Sequence, residues 1–289
     1  MLLPTMTPEE IYAEMAKDVN DLASAINTRY IPEFAKTIRR TQRFPEAKPY
    51  VWVSRKTRIE YVLIFVAYRK ADHKKVPHFF VYTIYSHESG RNLVYIEPDR
   101  FAIRIYTPHF IQRYKERDPA LGEAMGPTAD AHFEFLFLIK NHRVKETEFM
   151  KHLDETVDDP LYIEGREKEK RSRFWQDPDY ERYTVACERG LCLCERNKAN
   201  PNISIYDTFV AYDMLKPTQY IDFTQAVVPL VLDRIALYYP RQKEFWIKEW
   251  NEFADAIGKD TSIDNFKKCR FILAKLDEFN RRYPIDSLL

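Results

Sequence analysis

The stretch Ile59-Glu60-Tyr61-Val62-Leu63-Ile64-Phe65-Val66-Ala67-Tyr68 decides the fold class. It is rich in β-branched and aromatic residues and apolar at both alternating sets of positions, as a strand must be when both faces of its sheet are covered. Similar runs recur at 50–55, 79–85, 92–96 and 100–106, separated by short polar turns. Together they predict a five-stranded antiparallel meander. In the last strand Arg100 and Arg104 stand opposite Phe101, Ile103 and Ile105, so that strand is expected to carry one polar, cationic face.

Upstream of the meander, Thr7, Pro8 and Glu10 fit an N-cap, a first helical residue and the acid of a capping box. Ile11, Met15, Val19, Leu22 and Ile26 then recur every three or four residues and predict one amphipathic helix. A shorter helical stretch with Phe34 and Ile38 follows Pro32 and stops at Phe44-Pro45.

Downstream, Thr107-Pro108 reads as the N-cap and first residue of a cationic helix through Arg117, which Asp118-Pro119 ends. Residues 128–140 are apolar enough for a helix buried on most of its circumference and packed on the sheet. The mixed-charge segment 144–182 reads as an exposed helix or an insertion. Runs 183–187 and 191–196 flank Glu188-Arg189-Gly190 as a β-hairpin, and 203–206 is a further strand. Asp207-Thr208-Phe209 reads as the start of a short helical stretch to Leu215, with Thr208 as its N-cap. From Pro217 the pattern is helical: 220–239 interrupted at Pro229, 242–257 closed by Gly258, and 262–282 closed by Tyr283-Pro284.

The chain carries 45 Lys plus Arg against 44 Asp plus Glu, a net charge of +1. Such a balance does not coat nucleic acid or membrane by bulk electrostatics, so any polyanion must be held by a local patch. The most apolar segment, 226–239, is broken by Asp233 and Arg234, whereas a bilayer-spanning helix needs about 20 apolar residues. The start Met1-Leu2-Leu3-Pro4 lacks the features of a signal peptide, and four cysteines fit free thiols in a reducing compartment. A cytoplasmic protein without membrane association is expected. The six glycines form neither a phosphate-cradling loop nor a dinucleotide fingerprint, and no Gly-x-Ser-x-Gly or His-Glu-x-x-His occurs. No cofactor is expected.

The constellation that points to chemistry is His109, Arg113 and Arg117, spaced i, i+4, i+8 along one side of the cationic helix, with Arg100 and Arg104 just upstream. His109 stands at the second helical position, where the helix dipole works against an imidazolium. A neutral imidazole beside fixed guanidiniums suits metal-independent cleavage of an RNA phosphodiester: the base takes the 2′-hydroxyl proton and the arginines stabilise the charged phosphorane. The leaving group then needs a second proton carrier, for which His87, His132 and Tyr106 are candidates. The bland alternative is a solvated helix face with Arg113 and Glu116 or Gln112 in ordinary surface pairs. The basic loop Arg69-Lys70-Ala71-Asp72-His73-Lys74-Lys75 joins two strands and could touch phosphate through Lys74 and Lys75, with nearby tyrosines to stack on bases, or simply be a solvated turn. Cys187, Cys192 and Cys194 would lie together on one hairpin face, either as zinc thiolates lacking an evident fourth ligand or as buried free thiols. Metal binding is not the expected use.

These readings assign an α+β fold with an antiparallel sheet of five or more strands packed by helices and a helical C-terminal region. Residues 1–216 form the α+β part and 217–289 a helical subdomain, separate or packed into the same domain. Two functions of different class fit. One is phosphodiester cleavage, or phosphate or nucleic-acid binding, with His109, Arg113 and Arg117 catalytic and Arg100, Arg104, Lys74 and Lys75 holding substrate. The other is a non-catalytic scaffold that holds a protein partner through the aromatic C-terminal helices around Phe245, Trp246, Trp250 and Phe253.

Overall fold

The computed structural model describes residues 2–44, 46–88, 90–97, 100–117, 145–147, 179–187, 189–215, 227–238, 242–260 and 265–282. The predicted helix over 128–140 lies outside them. The meander is present as β1 (Glu46–Val53), β2 (Glu60–Ala67), β3 (His78–His87), β4 (Gly90–Glu97) and β5 (Ala102–Tyr106), each antiparallel to the one before. Pro49 sits within β1, which tolerates a residue without an amide donor because β1 is the edge of the sheet.

The hairpin does not form a separate sheet. β6 (Lys145–Thr147), β7 (Tyr180–Ala186), β8 (Gly190–Asn197) and β9 (Ile203–Ala211) join the meander in one nine-stranded sheet of order β1-β2-β3-β4-β5-β9-β8-β7-β6. The seam is the parallel pair β5–β9, with Ile103 opposite Ile203 and Tyr106 opposite Tyr206. The sheet is therefore mixed rather than purely antiparallel. Cross-strand pairs Arg182–Glu195 and Arg196–Glu181 fit the β7–β8 register, in which each cation stands opposite its acid.

Asp207-Thr208-Phe209 is strand, not the start of a helix: Cys194 pairs with Tyr206 and Leu193 with Thr208, so Asp207 is the extra residue of a bulge. The bulge turns Tyr206 and Phe209, three apart in sequence, into the same core. A short 3-10 turn, Tyr212–Met214, follows.

The two faces of β2 enter different cores, as its double apolar pattern requires. Tyr61, Leu63, Phe65 and Ala67 pack under the N-terminal helices, with Val81, Val94, Ile103, Ile105 and Ile203 from neighbouring strands. Ile64 and Val66 face the other side with Phe80, Tyr82, Leu93, Tyr106, Tyr206 and Phe209, where α4 (Pro108–Arg117) contributes Phe110 and Tyr114. Each large apolar side chain buried in this way contributes roughly 1.5–3 kcal/mol.

The first predicted helix is divided into α1 (Pro8–Ala16) and α2 (Val19–Ala25), and a π-helical turn (Ile26–Tyr30) joins α2 to α3 (Ile31–Arg40), the second predicted helical stretch. The capping box of Thr7 and Glu10 is formed as expected. The break falls at Asp18, whose side chain is fully buried and accepts from the hydroxyls of Ser54, Thr57 and Tyr61, the last at 2.9 Å. An inward carboxylate takes the place that the apolar period assigns to Val19, and the β1–β2 turn and the start of β2 supply its donors.

The C-terminal helices are α5 (Val228–Tyr238), α6 (Lys243–Lys259) and α7 (Asn265–Arg282). Pro229 lies in the first turn of α5, where its missing amide costs nothing, and the part of the expected 220–239 stretch before residue 227 lies outside the described residues. Gly258 lies inside α6 instead of ending it. Val231, Ile235, Trp246, Trp250, Cys269, Ile272, Leu276 and Phe279 share a core with Ala186, Leu191, Tyr212 and Leu215. No helix among the described residues is long and apolar enough to cross a membrane.

Candidate functional site

The connection from β2 to β3 is shaped by one carboxylate. Asp72 Oδ2 accepts the backbone amides of Tyr68 at 3.0 Å and Arg69 at 3.1 Å, and Oδ1 accepts Arg69 Nε at 3.2 Å. This closes the 3-10 turn Lys70–Lys74 and commits the Asp72 charge to Arg69. The chain then passes through Lys75, Val76 and Pro77 into β3, where the His78 ring meets Tyr68 edge-on with centroids 5.5 Å apart.

Against this connection lies a cavity of about 460 Å³, lined by Val66, Tyr68, Arg69, Asp72, Lys75 and His78, by Val76 and Pro77, and by Ala236 of α5 and Lys243 at the start of α6. Lys75 and Lys243 have no carboxylate partner among the described residues. Among the described residues, three nitrogen-bearing side chains besides the paired Arg69 border the opening with one acid, Asp72, which is already held by Arg69 and two amides. Lys75 was expected from sequence as a substrate-holding residue. Lys74 is exposed in the 3-10 turn and is not part of the lining. Tyr68 and His78 flank the basic loop and could have been singled out on that ground, but Lys243 comes from another helix and carries no local signal.

The His109 helix is built as its sequence requires. Thr107 caps it, its Oγ1 accepting the Phe110 amide at 3.1 Å, and Phe110, Tyr114, Tyr206 and Phe209 stack beneath it, with Tyr114 and Phe209 centroids 4.5 Å apart. His109 is exposed and has no hydrogen-bond partner among the described residues. Arg113, 41% exposed, is joined to Glu116 at 2.9 Å. Arg117 donates to the backbone carbonyl of Phe209 and so holds the helix to β9. None of the three lines the cavity at the β2–β3 connection.

Of the second proton carriers, Tyr106 is buried in the core beneath α4, and burial pushes its hydroxyl far above the usual range. His132 lies outside the described residues. His87 is exposed at the end of β3, opposite Gly90 in register, and a Cβ on Gly90 would stand 3.2 Å from the Pro108 ring. The β3–β4 turn and the first turn of α4 are therefore neighbours.

Of the cationic face predicted for the last strand, Arg104 is covered and Arg100 is exposed. Arg100 lies in the turn before β5 and pairs with Glu97 at 2.7 Å. Arg104 also pairs with Glu97 and lies over the Tyr95 ring, 5.8 Å from its centroid. Burial alone would lower the guanidinium's affinity for its proton, but Tyr206, Tyr106 and Glu97 together raise it, and Arg104 stays charged. Burial raises Glu97, yet Arg104 and Arg100 outweigh that and hold its carboxyl below the ordinary carboxylate range.

Cys187, Cys192 and Cys194 gather in one core as their hairpin spacing suggests, with the Cys187 and Cys192 sulfurs 3.2 Å apart. Among the described residues no group of three or more His, Cys, Asp or Glu side chains is arranged to hold a metal ion. On the C-terminal helices Trp246 and Trp250 are buried and Phe253 is half-buried, while Phe245 is 56% and Phe271 49% exposed. Comparison with protein-family models, curated proteins and solved structures finds no match to this chain.

Proposed function

We propose that this protein binds a phosphate-bearing ligand of nucleotide size in the cavity between the β2–β3 connection and the start of α6. The observation that carries the reading is the set Lys75, His78 and Lys243 around an opening at which Asp72, the one acid among the described lining residues, is held by Arg69 and two amides. An opening of about 460 Å³ lies in the range of small-molecule sites. Ammonium groups act on phosphate as point charges that require no fixed fork, and Tyr68 with His78 supplies rings on which a base can stack.

Binding of a fluorescent adenine nucleotide and of a short RNA, both in EDTA, tests this. Each charge-assisted contact contributes roughly 1.5–3 kcal/mol, so Lys75→Ala with Lys243→Ala should weaken binding by about 100-fold or more. Equal binding by wild type and this folded double variant, or none by wild type, overturns the reading.

A second reading, metal-independent RNA cleavage at the start of α4, draws support from the packing of Gly90 against Pro108, which brings the turn of His87 beside the turn of His109. In it His109 acts as base, His87 as acid, and Arg113 and Arg117 as phosphate clamps. Incubating total RNA with wild type and with the His109→Ala, Arg113→Ala variant in EDTA separates this from binding alone. Cleavage by wild type only, at equal stability, supports it, and intact RNA in both removes it.

A further inference from the structure

The β7–β8 hairpin closes between Cys187 and Gly190, with the Cys187 amide donating to the Gly190 carbonyl at 2.8 Å. Val185 pairs with Cys192 and Ala186 with Leu191, which sets Cys187 and Cys192 diagonally across the ladder. Both side chains belong to the core that also holds Val185 and Phe209, so they share one face of the hairpin. Their sulfurs are 3.2 Å apart. The backbone that carries them is fixed: the Tyr212 hydroxyl donates to the Cys187 carbonyl at 2.7 Å, and Gly190 has no room for a side chain beside Phe209 and the Val210 carbonyl.

From this juxtaposition we propose that Cys187 and Cys192 are a modification site: a dithiol that a small peroxide converts to a disulfide and that a thiol reductant restores. A disulfide requires sulfurs about 2.05 Å apart, so closure draws the pair together by roughly 1 Å, a movement within reach of side-chain rotation. The Cys187 sulfur, at the turn end of the hairpin, attacks one peroxide oxygen, the O–O bond breaks, and water leaves with a sulfenic acid on Cys187. The Cys192 sulfur then attacks the sulfenic sulfur, its proton leaves with the displaced hydroxyl as a second water, and the S–S bond forms. Two thiols supply two electrons to one peroxide, and the balance closes without a metal.

Both thiols are buried, so the peroxide enters when the turn opens locally. That opening is restrained by Arg189, whose guanidinium is bound to Asp277 of α7. The hairpin redox state and the seating of α7 are thereby connected.

The test treats the full-length chain with hydrogen peroxide under native conditions, blocks remaining thiols and maps peptides without reduction. The expected result is a Cys187–Cys192 cross-link, loss of two of the four free thiols, and recovery of both with dithiothreitol. Cys194→Ser should still form the cross-link, Cys192→Ala should not, and Arg189→Ala should form it faster. Circular dichroism of each variant before oxidation establishes that it is folded. The proposal fails if folded wild type keeps both thiols reduced, proceeds to sulfinic acid without a cross-link, or joins Cys192 to Cys194 instead.

Discussion

The Thr107 hydroxyl donates to the backbone carbonyl of Asp207 at 3.0 Å, joining the N-cap of α4 to the bulged residue of β9. The same oxygen accepts the Phe110 amide, and the Thr107 amide donates to the Tyr206 carbonyl at 3.1 Å. One side chain thus caps the His109 helix and fastens it to the parallel seam.

Thr107→Ala removes the cap and leaves the Asp207 carbonyl without this donor. Loss of an N-cap costs about 1–2 kcal/mol, and Thr107→Ser, which keeps the hydroxyl, should recover most of it. Urea denaturation of the three proteins measures this. A Thr107→Ala midpoint equal to that of wild type would show that the tie carries no stability.

Asp18 is the acceptor for three hydroxyl groups in a fully buried position. Asp18→Ala strands Ser54, Thr57 and Tyr61 and should destabilise the protein by about 3 kcal/mol or more, since each unsatisfied buried group costs about 1–3 kcal/mol. Removing one of the donors as well, with Tyr61→Phe in the Asp18→Ala background, should cost less than the sum of the two single changes. Additive losses in a double-mutant cycle would contradict the shared network.

The Glu97 carboxyl is held below its ordinary range in the folded state by Arg104 and Arg100, against the opposing effect of burial. A depressed folded value means that the unfolded chain binds the proton more readily. The resulting stability is present above the unfolded value of about 4.3 and is lost as pH falls through the lower folded one. Glu97→Gln should therefore be less stable than wild type near neutrality, with the gap narrowing in acid. Melting both proteins across a pH series checks the sign, and a gap that widens in acid would refute it.

Nucleotide binding at the β2–β3 cavity should weaken as salt rises, because Lys75 and Lys243 are exposed cations. The Lys75→Ala, Lys243→Ala variant should show a flatter dependence on salt for any binding that remains. A wild-type affinity that does not change between low and physiological salt would point to recognition through the rings of Tyr68 and His78 alone.

Much of the fold is legible in local pattern. The double apolar period of β2 announces a strand covered on both faces, and Thr107-Pro108 marks the start of α4. The helix break at Asp18 is not legible, because Asp18 carries no local signal and its donors Ser54 and Thr57 come from a turn far along the chain. Asp207-Thr208-Phe209 resembles a helix start because the hydrogen-bonding residues that favour caps also occur at bulges. Of the candidate site residues, His109 and Lys75 are visible by type and position, whereas the contribution of Lys243 to the cavity is not, since no local rule brings α6 to the β2–β3 connection.

The sequence by itself determined which segments of the meander are strands and where α4 begins, because alternation, helical period and capping are interactions among residues a few positions apart. It also determined the near-zero net charge and the absence of glycine-rich nucleotide motifs. Tertiary structure alone decided that the meander and hairpin join through a parallel β5–β9 seam, that Arg104 is sequestered by Glu97, and that two thiols stand 3.2 Å apart. Those outcomes rest on long-range register and on which charges find partners when water is excluded, and both are set by the whole chain packing at once.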